Sequence, residues 1–144
     1  LAILGFSFKA NTNDTRESPS IYICKELMTE GGNLFIYDPK VDASQISKDL
    51  NKKMISHENI SSKEGEWCIS NNIYDAARNA DAIIILTEWP EFKNLDWNQI
   101  SNIMRSPAWI FDTRYLLNPK DLSLIDINYW RIGYGDKSPK FKTK

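Results

Sequence analysis

Three short polar blocks hold the residues best suited to chemistry. Lys9 follows the first apolar run, Asp14-Thr15-Arg16-Glu17 precedes Ser18-Pro19, and Asp112-Thr113-Arg114 closes a later apolar run. Arg can grip a phosphate or carboxylate through two parallel N–H donors, whereas Lys acts as a point charge. A helix beginning at Ser18 would add free backbone N–H groups beside them. Cations at one sheet edge next to a helix end are what a pyrophosphate requires. The same residues admit a plainer reading, in which Arg16 and Arg114 merely pair with Asp14, Glu17 and Asp112. The residues alone leave both readings open.

Other reactive side chains are weaker candidates. Asp38 ends an apolar run, where a ribose-binding acid would stand in a dinucleotide fold. That reading requires G-x-G-x-x-G after the first strand, and the chain has Gly5-Phe6-Ser7-Phe8-Lys9 instead. Phe6 and Phe8 would keep a pyrophosphate away from the backbone, so Asp38-Pro39 is read as a turn. His57, the only histidine, lies in a polar stretch and is expected at the surface. Cys24 and Cys68 sit among apolar residues with no base or cation at a telling spacing, so both are read as packing residues. Trp89, Phe92 and Trp97 are read as core or interface.

Elements that would position these groups follow from the hydrophobic pattern. Continuous apolar runs at Leu1 to Leu4, Leu34 to Tyr37, Ala82 to Leu86 and Trp109 to Phe111 lack period-two alternation. They suit strands buried on both faces of a parallel sheet. Trp67 to Ile69 and Tyr129 to Ile132 are weaker strand candidates. A helix is expected from Ser18, with Pro19 at its first position, Ile21, Cys24, Leu27 and Met28 on one face, and Gly31-Gly32 at its end. Asp42 to Leu50, Tyr74 to Ala80 and Asp96 to Met104 also read as helical. Alternation of strands and helices predicts an α/β, Rossmann-like, doubly wound and mainly parallel sheet of about five to six strands. In such a sheet, ligands bind at the carboxyl ends of the strands. Asn51 to Glu66 is expected to be a surface loop. Residues 1–135 form one domain, and the Lys-rich residues 136–144 read as a frayed, disordered tail.

Composition narrows the classes further. The 144 residues suit one domain, and 42% hydrophobic with 26% charged residues is an ordinary globular balance. A net charge of −1 offers no global field for nucleic acid or an anionic membrane. No apolar run is long enough to span a bilayer. Two cysteines make no disulfide framework and no CxxC metal spacing, so a reducing, cytoplasmic setting is expected. The chain opens without Met, already inside a strand, as a piece of a longer protein would.

The ordered motifs resemble a known family. Gly5-Phe6-Ser7-Phe8-Lys9 followed by Asn13-Asp14-Thr15-Arg16-Glu17-Ser18-Pro19-Ser20 is similar to the opening of the C-terminal domain of UDP-glucose 6-dehydrogenases. Ile36-Tyr37-Asp38-Pro39, Thr87-Glu88-Trp89 with Phe92, and Ile110-Phe111-Asp112-Thr113-Arg114 follow in family order, over about residues 1–135. The Thr-Glu-Trp block resembles the UDP-glucose branch more than relatives acting on UDP-N-acetyl sugars or GDP-mannose. The resemblance implies that Lys9 reaches the sugar nucleotide across an interdomain cleft. It implies that Arg16 contacts NAD held mainly by an N-terminal domain, with Asp14 and Glu17 positioning it. It places Arg114 in substrate binding. Tyr115 stands where some relatives carry a second basic residue, so Arg114 and Tyr115 are both candidates for substrate contact.

What the family does is oxidise the C6 alcohol of UDP-glucose to a carboxylate with two NAD+, through a covalent cysteine intermediate. Its Gly-rich cysteine motif, catalytic lysine and NAD fingerprint are absent from this sequence. No catalytic residue or metal ligand is therefore expected here, and the chain alone is expected to be inactive. The implied partners are UDP-glucose, the N-terminal NAD-binding domain and, by analogy, further copies in a homo-oligomer. The alternatives are the same enzyme class acting on UDP-N-acetylmannosamine or GDP-mannose, and a non-catalytic nucleotide-binding module.

Overall fold

Six short strands run parallel in one sheet, in the order β3-β2-β1-β4-β5-β6. They are β1 (Ala2–Leu4), β2 (Leu34–Tyr37), β3 (Trp67–Ile69), β4 (Ala82–Ile85), β5 (Trp109–Asp112) and β6 (Asn128–Arg131). The computed structural model describes residues 1–60 and 65–133, so the basic tail from residue 136 lies outside the described residues. Strand order reverses between β1 and β4, which are direct neighbours with Ile3 opposite Ile84. A reversal of this kind opens a crevice at the carboxyl ends of the strands, the usual ligand position in an open α/β sheet.

The central strands bury both faces, whereas the edge strand β6 is only partly covered. Ala2 and Leu4 of β1 point to one face and Ile3 to the other, and all three are fully buried. On the first face, Ile83, Ile85 and Ile110 pack against α3 (Ile73–Ala77), α4 (Trp97–Ile103) and α5 (Pro119–Leu122). On the second, Ile3, Leu34, Ile36 and Trp67 pack against α1 (Pro19–Thr29) and α2 (Ala43–Leu50). Each fully buried Ile or Leu stabilises the fold by roughly 1.5–3 kcal/mol relative to exposure. The continuous apolar runs are the sequence trace of this two-sided burial.

Local signals set the helix limits. Ser18 caps α1 by accepting from the Ser20 amide, with Pro19 at the first helical position. Asp42 caps α2 and Asp96 caps α4, each accepting from a Gln three residues on. The helix expected over Tyr74 to Ala80 is shorter and earlier, because Asn72 caps it through the Asp75 amide and Asn79 turns left-handed at φ 57°. Two short pieces are not announced by the pattern: α5, and a 3₁₀ turn over Pro90–Asn94. The stretch expected to be a loop holds a 3₁₀ turn at His57–Asn59 and is pinned where Trp67 Nε1 donates to the Lys52 carbonyl at 3.0 Å.

Candidate functional site

The carboxyl edge at the β1/β4 reversal is built by unusually close backbone contact. Gly5 follows β1 with φ +90°, and a Cβ there would lie 2.4 Å from the Thr87 Cβ, so only glycine fits. Thr87 follows β4, and its hydroxyl donates to the Ser7 carbonyl at 2.8 Å. The loop after β1 is thus tied to the loop after β4.

A buried carboxylate ties it to β2 as well. Asp38 Oδ2 accepts from the amides of Phe6 at 2.7 Å and Ser7 at 3.0 Å, and from Trp89 Nε1 at 3.1 Å. Its Oδ1 accepts from the amides of Lys40 and Val41. Asp38-Pro39 is therefore a turn, as its sequence implies, and also the hub of three connections. Phe6 is fully buried in the second core cluster rather than standing over the loop, while Phe8 remains 48% exposed. The start of α1 is stitched to the same loop, since the Ser18 hydroxyl donates to the Phe6 carbonyl at 2.8 Å.

Lys9 and Arg16 flank this loop on the connection from β1 to α1. The Phe8 amide donates to the Asp14 carbonyl at 2.8 Å and brings Lys9 back towards Asp14. Arg16 meets the Asp14 carboxylate through two donors, Nε at 3.0 Å and Nη2 at 2.7 Å. That bidentate pair holds the Asp14 carboxyl down at about 2, with smaller help from the Arg16 amide and the nearby Lys9 charge. Arg16 remains 87% exposed at its side chain, so its pairing leaves it on the surface. Asp14 positions Arg16 as expected, whereas Glu17 does not. Glu17 is exposed, has φ 58°, and makes no ion pair with Arg16 among the described residues.

Arg114 stands two strands away, beyond β5. A second buried carboxylate, Asp112, shapes its loop by accepting from the amides of Arg114, Leu116 and Leu117 and from the Tyr129 hydroxyl. Burial, and then the Asp112 charge, push the Tyr129 hydroxyl well above the ordinary phenol range. Arg114 leans back over β4, where its Nε donates to the Leu86 carbonyl at 2.7 Å and lies 3.6 Å from Glu88 Oε2. Tyr115 has φ 62° and is 59% exposed, and Arg131 places its guanidinium carbon 3.9 Å from the centre of the Tyr115 ring. Sequence pattern does not single out Arg131, the last residue of β6; its only trace there is a cation inside a weak apolar run. Lys9, Arg16 and Arg114 thus share one sheet edge, but no hydrogen bond or ion pair links Arg114 to the other two among the described residues.

The remaining candidates behave as packing groups. Cys24 and Cys68 are buried free thiols, and burial pushes them up to about 12 and about 11. Trp89, Phe92 and Trp97 are buried in the first core cluster. His57 is exposed, with its ring 4.9 Å from that of Phe35. Among the described residues no group of three His, Cys, Asp or Glu side chains could hold a metal ion. No described helix is long and apolar enough to cross a membrane.

Comparison with known proteins gives the chain a family. The profile of the UDP-glucose/GDP-mannose dehydrogenase family, UDP binding domain, matches residues 2–119. The chain belongs to that family. The UDP-glucose 6-dehydrogenase of Caenorhabditis elegans is 45% identical over 133 residues, covering 92% of this chain and 27% of that protein. That of Gallus gallus is 47% identical over 135 residues, covering 92% and 27%. The chain therefore spans about a quarter of the length of the curated relatives it matches. Among solved structures, a UDP-D-ManNAc dehydrogenase from Pyrococcus horikoshii superposes with TM-score 0.67 at 27% identity, over 94% of this chain and 25% of that one. An NDP-N-acetyl-D-galactosaminuronic acid dehydrogenase from Methanosarcina mazei Go1 also gives 0.67, over 91% of this chain and 24% of that one. Its 22% identity speaks for the fold alone.

A UDP binding domain of this family need not cradle a dinucleotide, and this one is not built to do so. The Phe6 and Ser7 amides, which open the connection from β1 to α1, are taken by Asp38, and Phe6 fills the core beneath them. The residues present do not fit an NAD pyrophosphate on that loop.

Proposed function

We propose that this chain is the UDP-sugar-binding C-terminal domain of an NAD-dependent UDP-glucose 6-dehydrogenase, and that it supplies one wall of the substrate cleft. The observation that carries the reading is the shared carboxyl edge of β1, β4 and β5. There Lys9 is exposed and Arg114 is held between the Leu86 carbonyl and Glu88. In the intact enzyme Lys9 reaches the nucleotide sugar as a point charge, and Arg114 grips its diphosphate. Tyr115 lines the same end of the site. Arg16, exposed and braced by Asp14, contacts NAD that is held mainly by the rest of the polypeptide. The cofactor supplies the hydride acceptor; this chain binds, orients and screens. The two buried thiols suit a reducing, cytoplasmic setting.

The test uses the full-length parent protein. UDP-glucose, UDP-N-acetylmannosamine and GDP-mannose are supplied separately with NAD+, and NADH is followed. About two NADH per UDP-glucose, with little from the others, is the expected result for oxidation of an alcohol to a carboxylate. Hydrogen bonds to charged groups are worth about 1.5–3 kcal/mol, so Lys9→Ala and Arg114→Ala should each raise the KM for UDP-glucose about 10- to 100-fold. Arg16→Ala should raise the KM for NAD+ instead. An unchanged KM for UDP-glucose in both of the first two variants would remove those roles. Absence of turnover with all three sugars, from folded protein, would favour a binding module without catalysis.

A further inference from the structure

The loop after β5 contains a strained residue next to the arginine on which substrate binding depends. Tyr115 follows Arg114 directly and sits at φ 62°, a region that large L-residues rarely adopt. Such a conformation persists only where the surroundings impose it. Asp112 imposes half of it, by accepting from the backbone amides on both sides of Tyr115, those of Arg114 and Leu116. The side chain is the other half. Tyr115 is 59% exposed, yet Arg131 lies over the face of its ring at 3.9 Å. Arg131 pairs with Asp112 in the β5–β6 register, so it is carried by the sheet and not by the loop it holds.

Resting on the reading of Arg114 above, we propose that Arg131 is a positioning residue for the nucleotide sugar. By clamping the Tyr115 ring, it holds the Arg114 backbone in the pose from which Nε reaches the Leu86 carbonyl. A guanidinium already ordered by its surroundings loses less freedom when it meets a diphosphate, so binding is tighter. Arg131 acts through Tyr115 on Arg114, and the aromatic face, not the phenol hydroxyl, is what the clamp uses.

The experiment is a set of variants in the full-length enzyme, with the KM for UDP-glucose, the kcat and the Kd for UDP as readouts. Arg131→Ala and Tyr115→Ala should raise KM and Kd about fivefold, the scale of one cation–π contact, with kcat changed less than about twofold. Tyr115→Phe keeps the ring and should be clearly less impaired in KM and Kd than Tyr115→Ala. On an Arg114→Ala background, Arg131→Ala should add nothing, because the residue it positions is gone. An undiminished effect of Arg131→Ala on that background would overturn the proposal, since Arg131 would then act on its own. So would a Tyr115→Phe variant as impaired as Tyr115→Ala, or an Arg131→Ala variant with parental KM and Kd. If Arg131→Ala does not fold, the contrast between Tyr115→Phe and Tyr115→Ala decides. An Arg114→Ala variant with parental affinity removes the site assignment and this inference together, whereas an impaired Arg114→Ala beside a parental Arg131→Ala removes the inference alone.

Discussion

At the scale of single residues, the cations divide by what holds them. Arg16 is fixed by a neighbour two positions away, Arg114 by the Leu86 carbonyl just past β4, and Lys9 by no ion pair among the described residues. The Asp14–Arg16 pair has a pH signature. The folded Asp14 carboxyl is held at about 2, below its ordinary 3.8, chiefly by the Arg16 side chain. A depressed carboxyl contributes to stability above the unfolded pKa, and that contribution fades as pH falls from 3.8 towards about 2. A carbon-13 carboxyl titration should place the Asp14 midpoint at about 2 and return it to the ordinary range in Arg16→Ala. An unmoved midpoint in the variant would mean the pair does not form in solution. The pair is legible in the sequence because its members are adjacent there. The roles of Glu17 and Arg131 are not. Glu17 turns away through a left-handed backbone that its sequence does not announce, and Arg131 meets Tyr115 only once β6 lies beside β5.

Elements follow the same division between local and distant causes. Caps at Ser18, Asp42 and Asp96 act over two or three residues, and each helix they start is readable from the chain. Asn118-Pro119 starts α5 by the same chemistry, but four residues show no periodicity to accompany it. What pattern alone does not reveal is how one loop rests on another. Gly5 illustrates this, since its need for glycine comes from Thr87, across the sheet. Gly5→Ala should destabilise the chain by about 2–4 kcal/mol, combining left-handed strain with a backbone displacement. Gly31 has a similar φ of +83°, but a Cβ added there would meet nothing within 4 Å, so Gly31→Ala should cost only about 1 kcal/mol. Urea unfolding midpoints of the two variants give the comparison. Equal losses would show that the β1–β4 approach is looser than described.

For the whole molecule, alternating strands and helices announce a parallel sheet, and burial on both faces explains why the runs of the central strands are apolar throughout. The strand order, with its reversal between β1 and β4, depends on pairings between distant segments and is not written in any run. The chain matches about a quarter of its curated relatives, so the proposed chemistry belongs to a larger polypeptide. The isolated chain should release no NADH from UDP-glucose and NAD+, and any turnover by it would contradict the division of labour proposed. Asp38 bears on that division in another way. In a dinucleotide fold the amides after the first strand await a phosphate from outside. Here the equivalent amides of Phe6 and Ser7 already hold an anion, and it is part of the protein. The domain carries a permanent stand-in ligand at the position where its fold would otherwise accept a cofactor. An arriving dinucleotide would meet occupied donors and a fixed negative charge.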